Sequence, residues 1–149
     1  SLGIIFQDYR LLPERTVYEN VAFAMQVIEA PHREIKKRTN MVLDLVGLKN
    51  RTRSYPNELS GGEQQRIAIA RAIVNNPKIV IADEPTGNLD PDTSWEIMNI
   101  FERISESGTT IIMATHDKTI VDTMAKRVIA IENGFIVRDE EKGAYGYES

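Results

Sequence analysis

The sequence contains no cysteine. That excludes disulfides, thiolate metal sites and thiol nucleophiles, and it fits a reducing compartment. Long apolar runs are also missing, and the longest fall far short of the ~18 residues that a membrane-spanning helix needs. The opening Ser-Leu-Gly-Ile-Ile-Phe has neither a basic flank nor a small-residue cleavage site, so it does not read as a secretory signal. It lacks an initiating Met and starts directly on an apolar run, which is expected of an internal cut in a longer chain. An excess of positive charge is lacking as well. Eighteen Lys and Arg stand against 22 Asp and Glu, for a net charge of −4. The clustered basic surface that nucleic-acid binding requires is therefore not expected. No internal repeat and no low-complexity segment occurs.

What is present suits one globular domain. The chain has 149 residues, of which 42% are apolar and 27% charged, an ordinary balance for a domain with its own core. Leu2–Phe6 reads as a short buried strand, and residues 8–16 as a loop punctuated by Pro13. A helix is expected over Val17–Ile28. A second begins near Pro31, with Ile35, Val42, Leu45 and Val46 at helical spacing and Gly47 as its stop. Residues 49–58 form a polar connection, and a third helix runs from Ser60-Gly61-Gly62 to about Val74. Ile79–Ala82 is a β-branched run of buried-strand type. Asp92 or Thr93 is expected to cap the next helix, which Gly108 ends. Thr109–Ala114 is another apolar strand, followed by a helix over 118–126. Strands 127–132 and 135–138 flank Asn133-Gly134, a strong hairpin turn. The acidic, Gly/Tyr-rich tail 139–149 is expected to fray.

Strands alternating with helices imply an α/β fold with a mainly parallel sheet. The helical stretch 17–75 interrupts that alternation and reads as a lobe beside the sheet. The expected layout is thus a single domain with sheet core at 1–7 and 76–138, a helical insertion at about 8–75, and the tail.

Several residue groups carry chemistry. Asp83 and Glu84 close the run Ile79–Ala82, and adjacent carboxylates at the end of a buried strand are disfavoured by desolvation. A divalent cation makes such a site favourable, with Asp83 as its ligand. Glu84 is then placed to take a proton from an attacking water. In Leu59-Ser60-Gly61-Gly62-Glu63, two glycines open a helix whose first N–H groups lack intrahelical partners. With the helix dipole behind them and the Ser60 hydroxyl beside them, they can form an anion site for a terminal phosphate. Ser-Gly-Gly alone would be no more than a helix cap, but Glu63, Gln64, Gln65 and Arg66 make a first turn more polar than a cap requires. Gln7 ends the first strand, where its amide can lie near a metal and a water. His116 follows another strand and can donate to a phosphate oxygen. Asp90 lies just past the carboxylate pair and can couple it to a partner subunit. Gln7, Asp83 and His116 all fall at carboxyl ends of expected strands, the edge where open α/β sheets bind ligands. His32, in a polar helix start, reads as surface.

Taken in order, Gln7, Leu59–Glu63, Ile79–Glu84, Asn88-Leu89-Asp90 and His116 resemble the Q-loop, signature motif, Walker B, D-loop and H-loop of ABC-transporter ATPases. The resemblance covers about residues 2–138. Phe6-Gln7-Asp8-Tyr9-Arg10-Leu11-Leu12 with Thr16–Val21 is most similar to the bacterial cell-division branch of that family. Ala82–Pro91 is shared with its lipoprotein- and macrolide-exporter branches, which form the alternative. The resemblance implies a P-loop NTPase-type sheet with an inserted helical subdomain, ATP and Mg²⁺ as cofactors, and a homodimer that closes on two ATP molecules.

By the same resemblance, Glu84 is the general base, His116 contacts the γ-phosphate, and Asp83 and Gln7 serve the metal. Ser60, Gly61, Gly62, Glu63 and Asp90 serve the nucleotide across the dimer. The lobe between Gln7 and Tyr55 is expected to dock an integral membrane partner at the cytoplasmic face of the membrane, with peptidoglycan hydrolysis at the division site as the process controlled. One element of the family is missing. No Gly-x-x-x-x-Gly-Lys-Ser/Thr loop, and no Gly-Lys dipeptide, occurs in the sequence. The residues that grip the β- and γ-phosphates are therefore absent, and so is the family's adenine-stacking aromatic. These residues alone are expected to bind ATP weakly and to hydrolyse essentially none. The sheet is expected to lack a central strand, leaving apolar surface or an unpaired edge.

Overall fold

The computed structural model describes residues 1–146. The chain divides into two compact units, Ser1–Ala114 and the residues from Thr115 onward.

In the first unit the apolar run at the start becomes β1 (Leu2–Ile5). The helical lobe follows as α1 (Val17–Val27) and α2 (His32–Leu45). The connection at 49–58 folds as two short 3₁₀ turns, Lys49–Arg51 and Pro56–Glu58. The third helix is α3 (Gly61–Ile73). Then come β2 (Ile79–Asp83), α4 (Pro91–Glu106) and β3 (Thr110–Ala114).

The three strands form one parallel sheet in the order β1-β2-β3. Ile5 lies opposite Ala82, and Asp83 opposite Ala114. β2 is thus the middle strand, and no strand pairs the outer edge of β3 among the described residues.

The core sits between this sheet and its helices. Ile67, Ala68, Ile69 and Ala70 of α3 are buried, as are Ile97, Met98, Phe101 and Ile104 of α4. The α3 backbone lies so close to β1 that a Cβ on Gly3 would collide with the Ala72 carbonyl. α1 packs on α3 in turn through Val17, Val21, Ala22 and Met25.

Helix boundaries follow local chemistry. Thr16 caps α1 by accepting from the Glu19 N–H at 3.2 Å, while the Glu19 carboxylate accepts from the Thr16 N–H at 3.0 Å. The start of α4 differs from expectation. Its cap is Asp90, not Asp92 or Thr93, with Pro91 in the first turn. A proline there is pre-set in φ and needs no N–H partner, which moves the cap to the residue before it.

The second unit holds α5 (Lys118–Met124) and the antiparallel pair β4 (Val128–Glu132) and β5 (Phe135–Glu140). Asn133 and Gly134 make the expected turn, both at positive φ. The tail departs from the fraying expectation as far as it is described. β5 runs on to Glu140, and Arg127 grips Asp139 with two hydrogen bonds of 2.9 and 2.8 Å. Beyond it, the Gly143 N–H donates to the Lys126 carbonyl and the Tyr145 N–H to the Asp122 carboxylate. The Arg138 guanidinium donates to the carbonyls of Tyr145 and Gly146. Main-chain groups tied in this way hold a segment that composition alone marks as loose. Tyr147–Ser149 lie outside the described residues.

Candidate active site

The parallel pairing of β1 and β2 brings Gln7 and the Asp83-Glu84 pair to the same edge of the first unit. Asp83 ends β2 and is exposed. Glu84 is half-buried and adopts φ +46°. For a residue with a Cβ this left-handed conformation costs about 1–3 kcal/mol and persists only where neighbours over-determine it. The neighbours are visible. The Glu84 N–H donates to the Ala114 carbonyl at 2.8 Å, its own carbonyl accepts from Gly87 at 3.1 Å, and the next turn is closed by Leu89 N–H on Thr86 at 3.1 Å.

The Gln7 amide is engaged by the loop that follows the carboxylates. Its Nε2 donates to Asn88 Oδ1 at 3.1 Å, and Asn88 Nδ2 donates back to the Gln7 carbonyl at 3.3 Å. This reciprocal pair closes the loop after β2 onto the end of β1.

Ser60 is the N-cap of α3. Its Oγ accepts from the Glu63 N–H at 3.2 Å and donates to Glu63 Oε1 at 3.1 Å, and the same carboxylate oxygen accepts from the Ser60 N–H at 3.1 Å. The hydroxyl and Glu63 are thus joined in a capping box. Gly61 and Gly62 occupy the first two helical positions, whose N–H groups have no intrahelical carbonyl. Both glycines sit close against neighbouring side chains. A Cβ at Gly61 would lie 2.9 Å from the Tyr9 hydroxyl and 3.3 Å from Leu89 Cδ2, and one at Gly62 would strike the Thr93 side chain. The start of α3 is therefore packed against both the loop after β1 and the loop after β2.

Asp90, in that second loop, accepts from Thr93 Oγ1 at 2.6 Å and from the Thr93 N–H at 3.2 Å. These bonds, the hydroxyl first, hold its pKa below the ordinary value. His116 is exposed and lies in the second unit, just past the end of β3. His32 is exposed, as expected.

Three residues organise these loops; sequence reading gave no such role to Asn20 or Arg71 and took Gln65 only as part of a polar first turn. Asn20 is fully buried on α1. It accepts from the Leu12 N–H at 2.7 Å and donates to the carbonyls of Leu12, Arg15 and Thr16 at 3.0–3.1 Å, which orders the loop after β1. The Arg71 guanidinium on α3 donates to the carbonyls of Arg10 (2.7 Å) and Tyr9 (2.8 Å), both at positive φ. Gln65, also on α3 and fully buried, donates through Nε2 to the Pro85 carbonyl at 2.6 Å and the Phe6 carbonyl at 3.3 Å. The available signal was a polar residue on an otherwise apolar helical stripe: Asn20 beside Val17 and Val21, and Gln65 with Ala68 and Ile69.

Residues 1–87 match the ABC transporter family, and the chain belongs to that family. It is similar to the cell division ATP-binding protein FtsE of Streptococcus pneumoniae serotype 2 (strain D39), with 71% identity over 148 residues that make up 99% of this chain and 64% of that protein. FtsE of Bacillus subtilis (strain 168) is 65% identical over 146 residues, which are 98% of this chain and 64% of that protein. Among solved structures, CbiO1 of Clostridium perfringens, part of the ABC transporter complex CbiONQ, superposes with a TM-score of 0.87 at 36% identity, covering 95% of this chain and 57% of that one. The α/β fold with its parallel sheet is thus an ABC ATPase fold. The chain spans 64% of the length of the FtsE proteins it matches.

Proposed function

We propose that the protein carrying this chain is the ATP-hydrolysing subunit of a bacterial cell-division ABC complex. The observation that carries the reading is the convergence at one sheet edge of Gln7, Asp83 and Glu84, with the loops bearing them packed against Gly61 and Gly62. The similarity to FtsE proteins supports the cell-division assignment.

The donor set suits Mg²⁺ bound together with a nucleotide. Among the described residues no cluster of three or more His, Asp or Glu could cage a metal alone. Mg²⁺ usually takes one or two protein oxygens and completes its shell with waters and substrate phosphates. Asp83, with Gln7, would hold it, and the bound cation would neutralise charge on the phosphate oxygens. Glu84 orients the attacking water and accepts its proton. The amides of Gly61 and Gly62, with Ser60 and Glu63 shaping the helix start, meet the terminal phosphate of a nucleotide held by a second copy in an ATP-closed homodimer. Asp90 fixes the loop between the carboxylates and α4 at that interface, and His116 donates to a γ-phosphate oxygen.

The helical lobe docks an integral membrane protein of the FtsX type, and the complex acts at the cytoplasmic face of the membrane at the division site to control septal peptidoglycan hydrolases. No helix among the described residues is long and apolar enough to cross a membrane.

The test is ATP turnover by the full-length protein with Glu84→Gln. Loss of the general base should lower kcat by ~10²–10⁴ while ATP binding persists; an unchanged rate would overturn the assignment. The 149-residue chain by itself, lacking a phosphate-gripping Gly-Lys loop, should show neither tight ATP binding nor turnover. A second reading is the ATPase of a lipoprotein- or macrolide-type exporter, favoured by the structural likeness to a transporter subunit. Co-purification with an FtsX-type partner, as opposed to an exporter permease, decides between them.

A further inference from the structure

The Gln65 side chain joins two strand ends to one helix. Its Nε2 donates to Pro85, the residue after Glu84, and to Phe6, the residue before Gln7. Both neighbours are carbonyl oxygens, so the amide can present only its NH₂ group to them, and its orientation is fixed by chemistry. Its Oε1 is equally buried and accepts no hydrogen bond from a protein donor. A buried amide with one half unsatisfied stabilises a fold less than its two bonds suggest. Stability alone is therefore a weak reason for placing a glutamine here.

The geometry points to a different role: Gln65 is a positioning residue that sets the Glu84 carboxylate, and ties it to Gln7, from within the signature helix. Glu84 sits at φ +46°, and such a conformation reverts unless both flanks are held. The Ala114 carbonyl holds its N–H side. On its other side, Gln65 fixes the Pro85 carbonyl. The same helix begins at Ser60–Gly62, so a displacement of that end on phosphate contact moves the Glu84 and Gln7 backbones together. Arg71, gripping Tyr9 and Arg10 further along α3, makes the loop after β1 follow as well.

This inference rests on the reading of Glu84 as general base, and the experiment separates the two. In the full-length protein, Gln65→Met keeps the side-chain length and removes the donor. Misplacing a reacting group by about 1 Å costs up to ~10²-fold, so kcat should fall by about tenfold or more. KM for ATP should stay within about twofold, because the loss belongs to the transition state alone. In a Glu84→Gln background the same substitution should cost clearly less than in the unaltered protein, since the carboxylate it positions is gone and only its tie to the Gln7 strand end is left to lose. Unchanged kcat in Gln65→Met, an equal loss in both backgrounds, or a KM rise matching the kcat loss would each overturn the inference. If Gln65→Met does not melt cooperatively, Gln65→Asn, which keeps an amide on a side chain too short to span both carbonyls, carries the same cycle. Full turnover in Glu84→Gln alone would overturn the general-base reading and this inference with it. A normal Glu84→Gln loss beside an undisturbed Gln65→Met would overturn only the inference.

Discussion

On one face of the β1-β2-β3 sheet, Ile5, Val80 and Ala82 are fully buried, whereas on the other Leu2, Ile4, Ile79 and Ile112 are between 39% and 54% exposed. The side chains are of one kind, so composition does not separate the faces; connectivity does. A crossover between parallel strands is almost always right-handed. Here β1 leads through the lobe and α3 to β2, and β2 leads through α4 to β3, two steps in the same direction across the sheet. Both crossover helices therefore land on the same side. A helix reaches the opposite face only where the strand order reverses, and these three strands contain no reversal. Parallel sheets are ordinarily covered on both faces, which is why the strands read as near-continuous apolar runs and not as an alternation. The bare face is the apolar surface expected from the sequence, and the open edge of β3 accompanies it.

Adjacent residues of β1 offer the most direct way to break this contrast. Ile5→Ala should destabilise the chain by about 3 kcal/mol, through lost burial and a cavity beneath α3. Ile4→Ala, one residue away on the exposed face, should cost clearly less, about 1 kcal/mol, since close to half of it stays in water in the folded state. Urea midpoints at constant m-value measure both. Equal costs would mean that the Ile4 face is covered in solution.

The two sides of the sheet also differ in how much of them could be read beforehand. The strands, the helices of the lobe and the hairpin at Asn133-Gly134 were legible because each has a local cause: an apolar run, a period or a turn pair. The positions of Gln7, Asp83 and Glu84 were legible because parallel strands deliver their carboxyl ends to one edge. The ties holding those ends were not. Gln65 and Asn20 look like exposed helical polar residues until their turns are set against the sheet, and what they bind is main-chain carbonyl, which leaves no mark on the partner's identity. Nor could the sequence tell that the Asn88 amide meets Gln7, since 81 positions separate them. The cap of α4 was misplaced for a simpler reason. Three polar residues surround Pro91, and the one that serves is the one that leaves the proline inside the helix.

A smaller effect on stability, but a visible one on assembly, is expected from the bare face. Apolar patches of this kind, next to an unpaired strand edge, promote association between chains. The isolated 149-residue chain should show concentration-dependent association in sedimentation velocity. Ile112→Lys, on the exposed face of the edge strand, should reduce it, with stability changed by less than about 0.5 kcal/mol. Undiminished association in Ile112→Lys would locate the sticky surface elsewhere, and a large loss of stability would show Ile112 to be buried after all.

The smallest effect separates the faces by pH. The helices on the covered side carry titrating carboxylates at their starts, the cap Asp90 on α4 and, one layer out, Glu19 in the first turn of α1. Each has its pKa lowered, Asp90 first by the Thr93 hydroxyl and Glu19 first by the Thr16 N–H. A carboxylate whose pKa is lowered on folding adds stability above its unfolded value, and that stability disappears as pH falls through the lower folded value. For Asp90 the contribution is complete above the ordinary 3.8 and lost below it. Asp90→Asn keeps an acceptor for Thr93 but cannot titrate, so its unfolding midpoint should change less than that of the unaltered chain between pH 5 and about pH 3. The gap should be small, because both carboxylates face solvent and salt screens them. Parallel acid transitions in the two proteins would mean that the Asp90–Thr93 bonds do not distinguish the folded from the unfolded state. Substitutions at Ile4 or Ile112 to alanine, on a face without such a cap, should leave the shape of the acid transition unaltered.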